Sequence, residues 1–440
     1  MTRTESIKSE AAGAAAAKPS STVNEHGFDF SSMGFSWVAT NSFIKYVWKE
    51  GNGWDAGELV RGKDHLDIHV SATALHYGQA AFEGMKAFQM RDGKIRLFRP
   101  QMNAKRLRQS CEVSSMVAPS EELFLEALSR LIRDNREWVP PPESGGSAYV
   151  RPFIFGSGAS LGLVPATEYT FIAFLCPVGD FYKGGMGSPA TALIKHQFDR
   201  AAPYGTGHVK LGGNYPAPMG PTNDAKKRGY TVLLFLDAAE HRFVEEFATS
   251  NFAALTSPDS EGKRTYVTPK SQSILPSVTN RSLMELAHKH FGWNVERRVV
   301  EWDEVKRGCF DEVAACGTAV VITPVGEIHR EVSTGGKRRR ITVSSIANGI
   351  GNADNDEGKM AKTCNNDIEV TDSSSSGNAQ SAFYGDGVEE YEDETVLEVT
   401  KLRGSDFEGF RALLQAYREL QNGGLENWQE YGWMWPAEGF

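Results

Sequence analysis

The sequence predicts a mixed α/β (α+β) chain folded as two domains. Three observations carry that expectation. The chain has 440 residues, a length that splits into two or three cores rather than growing one. Apolar strand-like runs such as Tyr169–Cys176 and Tyr230–Leu236 alternate with stretches of helical period such as Ser120–Trp138. Between them, Pro177–Gly187 is rich in glycine and lacks apolar period, as a connection between domains would.

The expected organisation follows from the N-terminus. Residues 1–26, rich in Ala, Ser, Lys and Glu, read as a disordered tail. Residues 27–178 form a small domain, 179–190 an interdomain loop, and 191–440 a large domain with a low-complexity insertion at about 333–398. Within the small domain, Asp92-Gly93-Lys94 signals a hairpin turn into the strand Ile95–Pro100. Ser120 is placed to cap the next helix, with Glu121 and Glu122 at its positive end. Leu123, Phe124, Ala127, Leu128, Leu131 and Ile132 share one face of it. Pro140-Pro141-Pro142 ends it, and Ser147–Gly156 reads as a strand.

In the large domain, helical period runs on from Val278 to Phe291, with Gly292 as its stop. Val278 and Thr279 then sit at a helix start, where free N–H groups make an anion site. Asp406 is read as the cap of a last helix carrying Phe407, Phe410, Leu413, Leu414 and Tyr417, ended by Gly423 and Gly424.

Composition excludes several functions. Net charge is −9 and the pI about 5.7, so no broad basic face for nucleic acid is expected. No run of about twenty apolar residues offers a membrane span. The five cysteines, Cys111, Cys176, Cys309, Cys316 and Cys364, show no C-x-x-C spacing. They point to a reducing compartment and to no metal. A cytoplasmic location is expected, with Arg3, Lys8 and Lys18 leaving a mitochondrial address open. Lys337–Arg340 reads as a solvated loop rather than a nuclear address.

The motifs that bear chemistry occur in a fixed order. Ala74–Phe88 contains Phe82-Glu83-Gly84-Met85-Lys86. Phe98-Arg99-Pro100 and Tyr149-Val150-Arg151 follow. His208–Pro216 sets Lys210 ahead of Gly212-Gly213, with Tyr215 five residues on. Glu245-Glu246-Phe247-Ala248-Thr249-Ser250-Asn251 holds two candidate carboxylates, and the spacing to Thr249 and Asn251 favours Glu246. Ser277–Arg281 and Cys316–Gly326 complete the series.

In this order the motifs resemble those of the branched-chain amino acid aminotransferases, pyridoxal-phosphate enzymes of fold type IV. The resemblance runs from about Phe28 to Glu327, and the last helix with Gly432-Trp433 picks it up again. It implies a small α/β domain and a larger domain with a β-barrel-like core. It implies pyridoxal 5'-phosphate as cofactor, with Lys210 as the amine that joins its aldehyde and later moves the substrate α-proton. Arg99, Val278, Thr279 and Thr318 would hold the phosphate, Tyr215 the phenolate oxygen and Glu246 the pyridine nitrogen. Tyr77, Phe82, Tyr149, Arg151, Thr249 and Ala319 would contact substrate. Ala248, Ser277 and Asn280 depart from the usual family residues, with Arg281 displaced by one. Val320 and Thr323 stand where some members carry a redox cysteine pair.

The implied reaction is transamination of leucine, isoleucine or valine with 2-oxoglutarate, by a homodimer. A specialised class IV enzyme of a secondary pathway is the rival reading. A D-amino-acid aminotransferase or aminodeoxychorismate lyase of the same fold is disfavoured by Phe82–Lys86 and Tyr149–Arg151. A non-catalytic cofactor-binding protein is the remote alternative.

Overall fold

The computed structural model describes residues 23–179, 186–334, 338–340, 389–391, 395–404 and 406–437. Residues 1–22 of the expected tail, 180–185 of the expected loop and most of the insertion, including the serine-rich run 372–376, lie outside the described residues.

The first sheet is built from β1 (Ser42–Lys49), β2 (Ala80–Phe82), β3 (Met85–Gln89), β4 (Ile95–Phe98), β5 (Ser147–Gly156) and β6 (Glu168–Val178). Its spine runs β1, β6, β5, β3, β4, and every pairing among these is antiparallel. The turn at Asp92-Gly93-Lys94 joins β3 to β4 as read, closed by a Met90 N–H to Lys94 carbonyl bond of 2.9 Å.

The longer helices that accompany this sheet are α1 (Pro100–Val113) and α2 (Glu121–Asp134). Ser120 Oγ accepts from Leu123 N at 3.2 Å, so the expected cap forms. Phe124, Ala127, Leu128, Leu131 and Ile132 are buried in the core with Ile44, Phe171 and Leu175. Helix α1 was hidden in the sequence, because Phe98-Arg99-Pro100 reads as a strand end. In fact Arg99 turns the chain in the left-handed region (φ 50°) and Pro100 opens the helix. The buried face of α1 mixes Asn103, Arg106 and Ser110 with Ala104, Leu107 and Cys111, so its apolar period is weak.

The second sheet contains β7 (Ala190–Ile194), β8 (Val232–Leu236), β9 (Val244–Phe247), β10 (Ser250–Leu255), β11 (Thr265–Pro269), β12 (Glu312–Gly317), β13 (Val321–Ser333) and β14 (Thr395–Lys401). Strand β9 pairs with both β8 and β10, which closes the ring β9, β8, β7, β13, β12, β10 into a barrel. Both faces of its wall are buried. Val313 and Ala315 lie in one core, while Ala314 and Cys316 lie in another, as period-two alternation requires.

That second core is completed by α3 (Val278–Lys289) and α4 (Glu408–Asn422). Asp406 does not cap α4 as expected. Phe407 precedes the helix at φ 49°, and the N–H groups of Gly409 and Phe410 donate to the Glu312 carboxylate of β12, each at 2.9 Å. The cap comes from a residue almost a hundred positions away, which local sequence cannot reveal. Gly423 (φ 79°) ends α4 as read.

Two further boundaries move. β14 pairs antiparallel with Glu327–Ser333 of β13 from Thr395 onward, so the insertion leaves and re-enters through one hairpin. Met434–Pro436 hydrogen-bonds to β4, so the expected large domain at 191–440 loses its last strand to the first sheet.

Candidate active site

A cleft beside the barrel is lined by Lys210, Arg106 of α1, Glu246 of β9 and Thr318 just after β12. The lysine is held on both sides of its peptide. Its N–H donates to Ser110 Oγ of α1 at 2.9 Å, and its carbonyl accepts from Phe82 N at 3.1 Å. Gly212–Asn214 forms one tight helical turn, and Asn214 Nδ2 donates back to the Val209 carbonyl at 2.9 Å. This turn returns Tyr215 to its neighbour. Lys210 Nζ donates to Tyr215 Oη at 2.9 Å and lies 4.6 Å from the Phe82 ring centre.

Burial, helped by the Arg106 cation, pulls the Lys210 amine down to about 8. Burial and the Glu246 charge push the Tyr215 phenol up to about 12.

Glu246 stands on β9 directly opposite Asn251 of β10. Its carboxylate accepts from Asn251 Nδ2 at 2.6 Å and Leu275 N at 3.2 Å, and it pairs with Arg200 at 2.9 Å. Burial pushes Glu246 up to about 7, against the pull of Arg200. Glu245 accepts from Ser271 Oγ at 2.6 Å and is not among the cleft-lining residues. Adjacent strand residues point to opposite faces, so only one of the two carboxylates can serve the cleft.

The start of α3 lies beside these groups. Ser277 Oγ caps Asn280 N at 3.1 Å, and Val278 and Thr279, which head the helix, have no intrahelical acceptor for their N–H groups. Arg106 Nη1 donates to the Pro276 carbonyl at 2.8 Å, which brings its guanidinium to this helix end. Glu83 fixes Arg106 by two bonds of 2.7 Å, a fully buried fork.

Tyr215, Glu246, Thr249 and Thr318 line the cleft with Lys210. Arg151 Nη2 donates to Tyr149 Oη at 3.1 Å, with its guanidinium 5.0 Å from the Phe82 ring centre. The Ala319 carbonyl accepts from Lys86 Nζ at 3.0 Å.

Two expected site residues are not brought in. Arg99 donates to Ser282 Oγ at 2.9 Å, pairs with Glu285 at 3.0 Å and lies over Trp433 at 4.5 Å. It clamps α3, and Arg106, two turns further along, is the α1 arginine that lines the cleft. Tyr77 is exposed, and its hydroxyl donates to the Leu161 carbonyl at 2.8 Å. Arg106, Arg200 and Glu83 were not singled out in the sequence. The polar spacing Asn103, Arg106, Ser110 on one helix face is the signal that could have found the first. Arg200 sits in an irregular stretch with no period.

Residues 80–328 match the amino-transferase class IV family. The branched-chain-amino-acid aminotransferase of Helicobacter pylori is 45% identical over 305 residues, covering 69% of this chain and 87% of that protein. The protein of the same name from Haemophilus influenzae is 41% identical over 305 residues, covering 68% and 86%. The crystal structure of the Escherichia coli branched-chain amino acid aminotransferase superimposes with a TM-score of 0.60 at 22% identity, covering 90% of this chain and all of that one. The chain belongs to the class IV aminotransferases.

Proposed function

We propose that this cleft interconverts branched-chain L-amino acids and their 2-oxo acids, with 2-oxoglutarate and glutamate as the second pair. The family works with pyridoxal 5'-phosphate, and the residues present fit that molecule. A buried amine, a phenol, a carboxylate and an arginine at a helix start converge on one cleft. The cofactor supplies an aldehyde for an amine and a ring that accepts electrons from the substrate Cα–H bond.

Arg106, the N–H groups of Val278 and Thr279, and the Thr318 hydroxyl would hold its phosphate. Tyr215 would face its phenolate oxygen and Glu246 its pyridine nitrogen. Lys210 is the proton carrier. With its amine lowered to about 8, Nζ is neutral often enough near neutrality to take a proton and later return it. Tyr215 Oη, 2.9 Å away, fixes where that nitrogen points. Arg151, steered by Tyr149, offers a cation to a substrate carboxylate, and Phe82 offers an apolar wall. Thr249 and the Ala319 backbone would contact the substrate carboxylate too.

The observation that carries this reading is the Lys210 amine, 2.9 Å from Tyr215 Oη, sharing one cleft with Glu246 and Arg106. The branched-chain names of the two bacterial relatives support the substrate class. Assaying the cofactor-loaded protein with 2-oxoglutarate against leucine, isoleucine, valine, aromatic amino acids and D-alanine tests it. A preference for the three branched-chain L-amino acids is expected, and a preference for D-alanine would overturn the substrate class.

The same reading makes the protein a homodimer. Leu75, Tyr77, Leu161, Leu163 and Val164 are exposed apolar residues, Leu161 at 85% and Leu163 at 82%. The bond from Tyr77 to Leu161 gathers them at one edge, and a second copy would cover it. Light scattering on the purified protein checks this. Among the described residues no helix is long and apolar enough to cross a membrane.

A further inference from the structure

Behind Glu246 runs a line of buried polar side chains. Tyr266 and Thr268 stand on β11, Asn280 in the first turn of α3, and Asn251 on β10. All are at most 8% exposed, so each donor and acceptor needs a partner within the protein.

The bonds run in one direction. Tyr266 Oη donates to Asn280 Oδ1 at 2.8 Å. With its oxygen so occupied, Asn280 turns its Nδ2 the other way. There it donates to Thr268 Oγ1 at 2.8 Å and toward Asn251 Oδ1 at 3.4 Å. Thr268 cannot reverse this, because its own hydroxyl donates to the Phe252 carbonyl at 2.8 Å. Asn251 is then left with Nδ2 facing Glu246 Oε2 at 2.6 Å and the Leu275 carbonyl at 3.1 Å. A flipped Asn251 would set its carbonyl oxygen against the carboxylate and leave a buried acceptor unpaired.

We propose that Asn280 is a positioning residue, whose amide fixes the direction of a donor chain from Tyr266 through Asn251 into Glu246. The chain keeps that carboxylate an acceptor and ties it to the helix start that would hold phosphate. This rests on the reading of Glu246 given above.

Glu246 is poised where one donor decides its state. Arg200 favours the anion, while burial and the neighbouring Glu245 oppose it. Lys210, Tyr215 and Cys316 also feel its charge. The balance lies near 7, so loss of an amide donor to the anion raises it further.

The test uses Asn280→Ala, Tyr266→Phe and Glu246→Gln. In cofactor-free protein labelled with 13C at the glutamate carboxyl, Glu246 is the signal absent from Glu246→Gln, and its titration is followed by NMR. Asn280→Ala is expected to raise the Glu246 midpoint by about one pH unit, and Tyr266→Phe by a smaller amount of the same sign. In loaded enzyme, Asn280→Ala should lower kcat at pH 7 about fivefold, with KM for leucine within about twofold, and recover at higher pH. A role in folding alone would lower Tm and leave the midpoint unmoved. A midpoint unchanged in Tyr266→Phe and in Asn280→Ala overturns the proposal. If Asn280→Ala does not fold, Tyr266→Phe decides it. Full activity in Glu246→Gln would instead remove the reading of Glu246 and leave the donor chain to be judged by the titration.

Discussion

Lys210 is the residue on which the chemistry turns, and its burial has a cost that can be measured. Its amine falls from an ordinary 10.5 to about 8 in the folded chain. Between those values the unfolded chain binds more protons, so stability rises with pH from about 8 toward 10.5. Below 8 the full penalty is present, on the order of 3 kcal/mol. Cofactor-free Lys210→Met should therefore unfold at a higher temperature than the natural protein at pH 7, and the gap should close as pH rises. Calorimetry at pH 7 and pH 10 checks this. Arg106 has the opposite character. Its pair with Glu83 is buried and bidentate, so Arg106→Gln leaves an uncompensated carboxylate and should cost about 3–5 kcal/mol in denaturant titration. The two residues differ in legibility. Lys210 and Tyr215 are announced by a glycine pair between them, and Glu246 by its spacing to Asn251. Arg106 carries the same charge as Arg99, which stands seven residues earlier, just before α1, and only the fold shows which of them reaches the cleft.

At the scale of elements, the site depends on contacts that no local pattern encodes. Helix α4 starts where it does because Glu312 reaches two of its N–H groups. Glu312→Ala should cost about 1–2 kcal/mol in chemical denaturation, with KM for the amino acid unchanged, since Glu312 is not a cleft-lining residue. Strands β3 and β5 bring Gly84 against Tyr149. A Cβ at Gly84 would lie 2.1 Å from Tyr149 Oη, so Gly84→Ala must displace the phenol that steers Arg151. A rise in KM for 2-oxoglutarate of roughly tenfold is expected from losing one charge-assisted contact, with thermal stability nearly unchanged. Regular elements such as α2 were legible because both their caps and their apolar faces lie within them. Helix α1 was not, because part of the face that should have shown apolar period is polar and serves the cleft.

Over the whole molecule, the class of fold follows from alternation of strands and helices, while the closure of the barrel does not. It needs β13 to pair with β7 and β12 to pair with β10, and those pairings join residues distant in sequence. The return of Met434–Pro436 to the first sheet is invisible for the same reason. The insertion enters and leaves through neighbouring strands. It leaves β13 at Ser333 and returns at Thr395, which face each other across the ladder. Replacing residues 335–394 with a short glycine-containing turn should keep kcat within about twofold, because a hairpin of matched strands needs only a few residues to close. Steady-state kinetics of the shortened chain checks it.

The central claim is that Lys210, held beside Tyr215 and Glu246, carries the proton of an amino-transfer reaction on branched-chain substrates. The most direct measurement is the visible spectrum of the pyridoxal-phosphate-loaded protein before and after L-leucine, run beside Lys210→Ala. A visible absorption band in the natural protein that is lost on adding leucine, and no catalytic turnover in Lys210→Ala with the fold retained, is the predicted result. A loaded protein indifferent to leucine, or a Lys210→Ala variant that still turns over, would contradict the account.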